Sequence, residues 1–187
     1  RRRLRAYIAS WLTTKFDEYE EHVHAYRKLL LELKKKAKRV LAFGTHRVIK
    51  RLKDRAEYYE EELVRLPDSW EGLMLLKTRG RFAEGVDLEA DCVVVLGAPY
   101  ATPEVIQRLA KVYRRLGYNK YWELASDVPM LIATMQCIGR ATRSPEARPL
   151  VLLADVRFGR FEEQLSKYFE LEELKDEKEL ERLLSRG

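Results

Sequence analysis

The chain has 187 residues, of which 46% are hydrophobic and 35% are charged. This balance is typical of a folded globular protein and argues against a disordered chain or a membrane protein, because no apolar run is long enough to span a bilayer. The formal net charge of +6 comes from 36 Lys and Arg against 30 Asp and Glu, which suits a polyanionic partner and equally an ordinary solubilising surface.

The first half of the chain predicts one long helix followed by buried strands. Apolar residues recur at three- and four-residue steps over 16–37, where the first turns are acidic and the last are basic, as the helix dipole favours. Residues 40–43 form a short apolar strand pattern, and a helical pattern follows over 47–62. Two more strands are expected, a weak one at 63–66 and a stronger one at 73–76.

The second half of the chain alternates strand and helix patterns. Residues 92–96, with three consecutive valines, give the clearest strand signal, and 150–154 form another continuous apolar strand. Between them, the Thr-Pro pair at 102–103 stands in the order that begins a helix, and Pro129 begins a second helix that runs to about Arg143. Two charged helical patterns finish the chain.

Short apolar strands that alternate with helices of ten or more residues indicate a parallel sheet buried on both faces. The predicted fold class is therefore α/β, a three-layer domain with a mainly parallel sheet covered by helices on both faces. One domain is expected, made of an N-terminal segment and helix (1–38), a core (39–158) and C-terminal helices (159–187). The chain does not begin with Met, so we expect it to be part of a longer protein.

Distinctive loops follow four of the predicted strands, at the edge where open parallel sheets bind ligands. The most unusual segment is QCIGRATRSPEARPLVLLADVRF at 136–158. On a helix, Gln136, Arg140 and Arg143 share one face, and two guanidinium groups beside a carboxamide can grip a phosphate chain through paired donors. Gly139 beside them permits close approach of a ligand or a second backbone. The alternative is a solvated basic face whose arginines pair with nearby Glu.

The second unusual segment is KTRGRFAEGVD at 77–87, in which an acidic pair, Glu84 and Asp87, accompanies two glycines. Gly80 and Gly85 would let backbone amides turn inward. Asp87 could accept a hydrogen bond from a sugar hydroxyl, as acidic residues do in other nucleotide sites. The alternative is an ordinary tight turn with a solvated carboxylate.

The two cysteines, Cys92 and Cys137, lie far apart in apolar segments and lack any spacing typical of metal ligands. We expect both to be buried free thiols in a reducing compartment, and no residue is assigned to a metal site. The expected location is cytoplasmic, or nuclear in a eukaryote, with no membrane partner.

Two segments together, RGRFAEGVDLEADCVVVLGAPYATP and QCIGRATRSPEARPLVLLADVRF, resemble motifs V and VI of the XPD/DinG-type DNA helicases of superfamily two. The second segment matches the family pattern Q-x-x-G-R-x-x-R, followed by a strand and D-x-R-[FY]. The segment LTTKF with its helix, and then RVLAFGTH, resemble the start of the second motor domain and its motif IV. The resemblance covers residues 10–165 and predicts a RecA-like C-terminal domain. Within it, Asp155 is expected to pair with Arg157.

The resemblance implies an ATP-dependent helicase in which ATP binds between two RecA-like domains. Arg140 and Arg143 are then implied to be arginine fingers for the terminal phosphate, with Gln136 orienting the cluster. The residues implied to face the nucleotide are Gly80, Glu84, Gly85, Asp87 and Gly139. The absent first domain would hold Mg²⁺ and any iron–sulfur cluster. The sequence contains no G-x-x-x-x-G-K-[ST] loop and no D-E-x-H or D-E-x-D box, so we expect it to be catalytically inactive alone.

The resemblance also implies two partners, single-stranded DNA and the first RecA-like domain of the parent chain. The candidate DNA-binding residues are Thr45, His46, Lys77, Thr78, Arg79 and Tyr100. Lys, Arg and Thr donate to phosphates without reading sequence, and a Tyr ring can stack on a base. The alternative for each residue is a solvated or packing side chain. The alternatives for the domain are a non-catalytic RecA-like module that binds nucleic acid or a partner, and an α/β domain for another nucleotide.

Overall fold

The structure, a computed structural model, describes residues 2–82 and 88–186. The strands in these residues are β1 (Leu4–Ala9), β2 (Arg39–Gly44), β3 (Tyr58–Tyr59), β4 (Gly72–Lys77), β5 (Cys92–Val95), β6 (Leu150–Leu153) and β7 (Phe169–Leu174). They form one sheet in the order β3-β4-β2-β5-β6-β1-β7, and every pairing is parallel. The α-helices are α1 (Tyr19–Lys36), α2 (His46–Ile49), α3 (Pro103–Arg115), α4 (Tyr121–Ala125), α5 (Asp127–Gly139), α6 (Glu162–Leu165) and α7 (Glu177–Ser185).

The central strands are apolar on both faces because helices cover both sides of the sheet. Along β2, Val40 and Ala42 belong to one core cluster, whereas Leu41 and Phe43 belong to another on the opposite face. Residues of α1, α2 and α7 complete the first cluster, and residues of α5 and α6 complete the second. The predicted three-layer α/β fold with helices on both faces is confirmed.

The carboxyl ends of the strands meet at one side of the sheet because all pairings are parallel. Gly44 at the end of β2 pairs with Lys77 at the end of β4, and Phe43 of β2 pairs with Val95 at the end of β5. We call this side, with the loops that follow β1, β2, β4, β5 and β6, the carboxyl edge. Ligands of open parallel sheets bind at such an edge.

Most predicted strands and helices of the core are present. The strands predicted at 40–43, 73–76, 92–96 and 150–154 correspond to β2, β4, β5 and β6. The long helix predicted over 16–37 is α1, which begins slightly later, at Tyr19. The Thr-Pro signal is also confirmed, since α3 begins at the proline.

The prediction of a helix over 47–62 is wrong, because only α2 and two short 3₁₀ helices (Lys53–Arg55 and Glu60–Glu62) form there. Between the 3₁₀ helices, β3 pairs with β4 through Tyr59 and Leu75. Aromatic residues favour strands, and this pairing overrides the helical spacing. The weak strand predicted at 63–66 is also wrong, since Val64 is 94% exposed and that segment pairs with no described strand.

The two ends of the chain supply strands that the sequence analysis did not predict. β7 forms where one of the two charged helical patterns was expected. The other pattern corresponds to α7, which is the only α-helix longer than one turn after β6 in the described residues. β7 lies at the edge of the sheet, where charged side chains are tolerated because one side meets water. β1 lies between β6 and β7 and pairs with both.

Candidate functional site

Asp155 lies at the centre of a buried polar network at the carboxyl edge. Its side chain is 0% exposed, and its Oδ2 accepts the backbone N–H of Ala98 at 2.9 Å. Its Oδ1 accepts the hydroxyl of Thr13 at 3.0 Å. Thr14 donates to Oδ2 through its N–H at 3.3 Å and its hydroxyl at 3.2 Å. This carboxylate therefore joins the loops that follow β1, β5 and β6.

Arg157 completes this network as the partner of Asp155. Its Nη2 lies 2.8 Å from Asp155 Oδ2 and also donates to Thr14 Oγ1 at 3.0 Å. Burial raises the pKa of Asp155, but the hydrogen bond and charge of Arg157 outweigh it, with help from the N–H of Ala98, so the pKa lies below its usual value. The predicted pair of Asp155 and Arg157 is confirmed.

Gly97 allows the loop after β5 to approach the threonines after β1. Its φ is +93°, a conformation that L side chains rarely adopt. A Cβ atom at this position would overlap the side chain of Thr14. The position therefore requires glycine for both its backbone conformation and its packing.

Tyr100, a predicted base-stacking residue, is half-buried and packs within the domain. Its hydroxyl donates to Asp127 Oδ1 at 3.3 Å, and the guanidinium carbon of Arg157 lies 5.1 Å from its ring centroid. Burial, with the neighbouring Asp127, raises the pKa of Tyr100 to about 12. These contacts are those of the packing alternative rather than of a free stacking platform.

The predicted DNA-binding residues of the loops after β2 and β4 gather around Glu61. Its Oε1 lies 3.1 Å from His46 Nδ1 and 3.4 Å from Lys77 Nζ. Thr45 precedes α2, and its carbonyl accepts the N–H groups of Val48 and Ile49. Three of the predicted residues thus lie at or just after the ends of two neighbouring strands, β2 and β4, at the carboxyl edge.

Thr78 and Arg79 tie loops together. Thr78 is only 4% exposed, and its N–H donates to the carbonyl of Gly44 at 3.0 Å, so the prediction that its side chain is open to DNA is wrong. Arg79 Nη1 donates to the carbonyl of Pro99 at 2.9 Å, and burial of the guanidinium lowers the pKa of Arg79. Both residues brace the loop after β4.

The predicted shared helix face of Gln136, Arg140 and Arg143 is wrong. α5 ends at Gly139, a residue that disfavours helix interiors, and a turn follows it. Gln136 is exposed on the last turns of α5, and Arg140 directly follows the helix with a residue exposure of only 1%. Arg143 lies beyond the helix and is exposed.

The end of α5 contacts both sides of the motif V segment. The thiol of Cys137 lies 3.8 Å from the carbonyl oxygen of Thr78, and the N–H of Leu88 donates to the carbonyl of Arg140 at 2.8 Å. Burial raises the pKa of Cys137 to about 12, although the charges of Arg79 and Arg140 act in the opposite direction. Glu84, Gly85 and Asp87 lie outside the described residues.

The two described glycines of the predicted nucleotide site differ in surroundings. A Cβ atom at Gly80 would run into the carboxylate of Glu60, which is 2% exposed and accepts the N–H of Lys77 at 3.2 Å. A side chain at position 80 would therefore require the carboxylate of Glu60 to move. A Cβ atom at Gly139 would meet open space among the described residues, so no packing contact there requires a glycine.

The described stretches contain neither a metal cluster nor a membrane-spanning helix. In residues 2–82 and 88–186, no group of three or more His, Cys, Asp or Glu side chains could hold a metal ion. Cys92 and Cys137 are buried and free, as predicted, and burial raises the pKa of Cys92 to about 12. No helix in the same residues is long and apolar enough to cross a bilayer.

Thr13, Thr14 and Glu61 are parts of the site that were not predicted from the sequence. The two threonines lie in the loop that follows β1, and two adjacent hydroxyls after a strand were an available signal once that strand was recognised. Glu61 carried no such signal, because it falls inside the stretch that was predicted to be helical.

A parallel sheet that carries these loops at its carboxyl edge defines a RecA-like α/β domain. A family model described as "Helicase C-terminal domain" matches residues 11–172. The chain therefore belongs to the helicase C-terminal domain family. β1 precedes the matched region and α7 follows it.

Solved XPD structures share this fold. A structure titled "XPD_Helicase" matches with a TM-score of 0.76 and 24% identity over 91% of this chain and 35% of that chain. A structure titled "XPD_APO" matches with a TM-score of 0.78 and 23% identity over 93% of this chain and 40% of that chain. Xpd4 of S. tokodaii matches with a TM-score of 0.68 and 18% identity over 90% and 39%. The chain spans less than half the length of these proteins, and the predicted resemblance to XPD-type helicases is confirmed.

Proposed function

We propose that this domain is the second motor domain of an ATP-dependent DNA helicase and that it contributes residues to ATP held on a first RecA-like domain. The observation that carries the proposal is the hydrogen bond of 2.8 Å between the N–H of Leu88 and the carbonyl of Arg140. It joins the end of the motif V segment to the end of the motif VI helix. Two segments that resemble nucleotide motifs thus meet in one place.

The two motif VI arginines have different proposed roles. Arg143 is exposed beyond the end of α5, where its permanently charged, planar guanidinium can contact the terminal phosphate of ATP on the neighbouring domain. Such a contact meets charge that develops in the transition state and is worth about 10³–10⁵ in rate. Arg140 is buried and is proposed to position the motif V segment, while Gln136 orients the cluster from the surface of α5.

The remaining nucleotide contacts are proposed from the resemblance. Gly80 and Gly139 flank the junction of the two motifs, and Glu84, Gly85 and Asp87 belong to the motif V segment between them. ATP would bind between the two motor domains. Mg²⁺ and any iron–sulfur cluster are assigned to the first domain.

The carboxyl edge is the proposed track for single-stranded DNA. Thr45 and His46 follow β2, Lys77 ends β4, and Arg79 braces the loop after β4 against the loop after β5. These side chains donate to phosphate oxygens without reading sequence, as a translocating motor requires. Thr78 and Tyr100 are better placed to hold the loops in position than to contact the strand.

The test of the proposed function is DNA-stimulated ATP hydrolysis by the full-length parent protein. Arg143→Ala is expected to lower kcat by about 10³ or more, because it removes a contact made in the transition state. Arg148→Ala, which removes an exposed arginine from the same loop, is the matched control and should retain activity. Full activity of Arg143→Ala would overturn the finger role.

The positioning role of Arg140 is tested by a measurement that a change in fold stability alone would not affect. Arg140→Lys is expected to keep the melting temperature within a few degrees while lowering kcat more than it raises the KM for ATP, because a flexible ammonium cannot reproduce the guanidinium geometry. Unchanged kcat in this variant would contradict the positioning role. Full activity of both arginine variants would favour the non-catalytic module instead.

A further inference from the structure

Helices α3 and α4 form a hairpin with a small core of its own. We call residues 101–126 the basic hairpin. Its base lies at the carboxyl edge, since the hydroxyl of Tyr100, directly before it, bonds to Asp127, directly after it, at 3.3 Å. The buried residues of its core, separate from the two clusters on the sheet, are Ile106, Ala110 and Ala125.

The basic hairpin carries an excess of exposed positive charge. It contains only two acidic residues, Glu104 and Glu123. Its exposed cations are Arg108, Lys111, Arg114, Arg115 and Lys120. None of these five forms an ion pair with a carboxylate in the described part of the chain.

The long helix α1 shows the opposite arrangement of charge. Four of its cations pair with carboxylates, three of them on other parts of the chain. The paired cations are Arg27, Lys28, Lys34 and Lys35. The positive charge of the hairpin is therefore not used to fasten it to the domain and is available to an anionic partner.

Three of the four cations of α3 face away from the hairpin core. Arg108, Lys111 and Arg115 recur at three- and four-residue steps and share one side of the helix, opposite the buried Ile106 and Ala110. A stripe with this spacing can follow a chain of phosphates, because it presents several cations along one direction.

Two half-exposed aromatic side chains accompany these cations. Tyr118 is 53% exposed and Trp122 is 52% exposed. The ring of Tyr118 is held edge-on against Tyr113, with centroids 5.8 Å apart. The guanidinium carbon of Arg114 lies 5.8 Å from the ring centroid of Tyr121, the residue before Trp122. At this contact a cation of α3 packs on an aromatic ring of α4.

We propose that the basic hairpin is a second binding surface for single-stranded DNA, separate from the track along the strand-end loops. Its cations bind phosphates, and Trp122 and Tyr118 stack on bases. Exposed aromatic rings beside a positively charged groove are the combination that binds single strands without sequence preference. The surface adjoins the proposed track because the hairpin leaves from and returns to the carboxyl edge.

The first test measures binding of a fluorescein-labelled oligodeoxythymidine to the 187-residue chain by anisotropy, over a range of salt concentrations. The double variant Arg108→Gln, Lys111→Gln is expected to weaken binding roughly tenfold. It should also reduce the slope of log K against log salt by about 1.4, that is about 0.7 for each lost phosphate contact. The matched control is Lys35→Gln, Lys36→Gln on α1, which removes the same charge and should change neither quantity. An equal loss in both double variants would overturn the proposal.

The second test separates base stacking from general apolar contact. Trp122→Leu is expected to weaken binding about tenfold, whereas Trp122→Phe retains most of it, because every base can stack on an aromatic ring. Both variants should melt at the wild-type temperature, since the side chain is half-exposed. A protein partner that docks on the exposed Val112 and Leu116 would leave DNA binding unchanged in the Trp122 and cation variants, and that result would overturn the proposal.

Lys77→Gln separates this surface from the proposed track. If both surfaces bind the strand, the hairpin variants lower affinity by the same factor in the wild-type and Lys77→Gln backgrounds. Loss of binding only with Lys77→Gln would overturn the hairpin proposal while supporting the track. Loss of binding only with the hairpin variants would support the hairpin proposal and overturn the proposed track.

Discussion

The carboxylate of Asp155 accepts the backbone N–H of Ala98 at 2.9 Å, which fixes the loop after β5 to the end of β6. The same carboxylate holds the threonines after β1 through hydrogen bonds. Three loops of the carboxyl edge thus depend on one buried negative charge. Its removal should affect stability and the geometry of the edge together.

Asp155→Asn is expected to lower the free energy of unfolding by about 3 kcal/mol, because it leaves the positive charge of Arg157 without its buried partner. Urea denaturation followed by circular dichroism measures the loss. Glu71→Gln is the matched control, since its exposed pair with Lys38 should contribute less than about 1 kcal/mol. Equal stability of Asp155→Asn and wild type would contradict the central role of this carboxylate.

Stability should also depend on pH through Asp155. Its pKa in the folded domain lies below that of the unfolded chain, about 3.9, so the pair stabilises the fold above that value. The stabilisation is lost as the pH falls through the folded pKa. Urea titrations of wild type and Asp155→Asn should therefore differ by a constant amount between about pH 5 and 7, begin to converge below about pH 4, and meet below the folded pKa. A stability difference between the two proteins that does not change with pH would show that the charge of Asp155 is not its cause.

Gly97→Ala and Gly117→Ala form a pair that isolates steric overlap from backbone strain. Both glycines have positive φ, at 93° and 90°, but a Cβ at Gly117 meets nothing within 4 Å, whereas one at Gly97 overlaps Thr14. Gly117→Ala is expected to destabilise by about 1 kcal/mol and Gly97→Ala by about 3 kcal/mol or more. Thermal denaturation measures both, and equal costs would show that Thr14 moves away without penalty.

Glu61→Gln is expected to strengthen binding of single-stranded DNA about two- to fivefold. The substitution releases His46 and Lys77 from a carboxylate that competes with phosphate for them. Anisotropy at low salt measures the change. Glu71→Gln removes a comparable charge at a distance from these two side chains and should leave affinity unchanged. Weaker binding in Glu61→Gln would indicate that Glu61 holds the two side chains in the productive position.

The strands that the sequence predicted all lie inside the sheet, whereas two of the three described strands that it did not predict lie at the edges. β2, β5 and β6 are central, so both faces are buried and the whole segment is apolar, which is a local signal. β3 and β7 are edge strands, where one side has no partner strand, and FELEEL in β7 has the charge of a surface helix. Their pairing depends on distant residues rather than on their own pattern.

The sequence predicted which residues belong to the candidate site better than it predicted where they lie. Helical spacing placed Arg140 and Arg143 on one face, but α5 ends at Gly139 and separates a buried arginine from an exposed one. The backbone carbonyl of Arg140 accepts the N–H of Leu88, a residue that lies far away in sequence. No pattern within either segment records that contact.

The position of β1 constrains how the domain is made. The first strand of the chain lies between two of the last, with Ala6 opposite Val151 on one side and Leu171 on the other. During synthesis β1 stays unpaired until nearly the whole domain has left the ribosome. The sheet is therefore completed late, by the long-range contacts of β1 with β6 and β7. A nascent chain paused before β6 would keep an apolar, arginine-flanked strand exposed to chaperones.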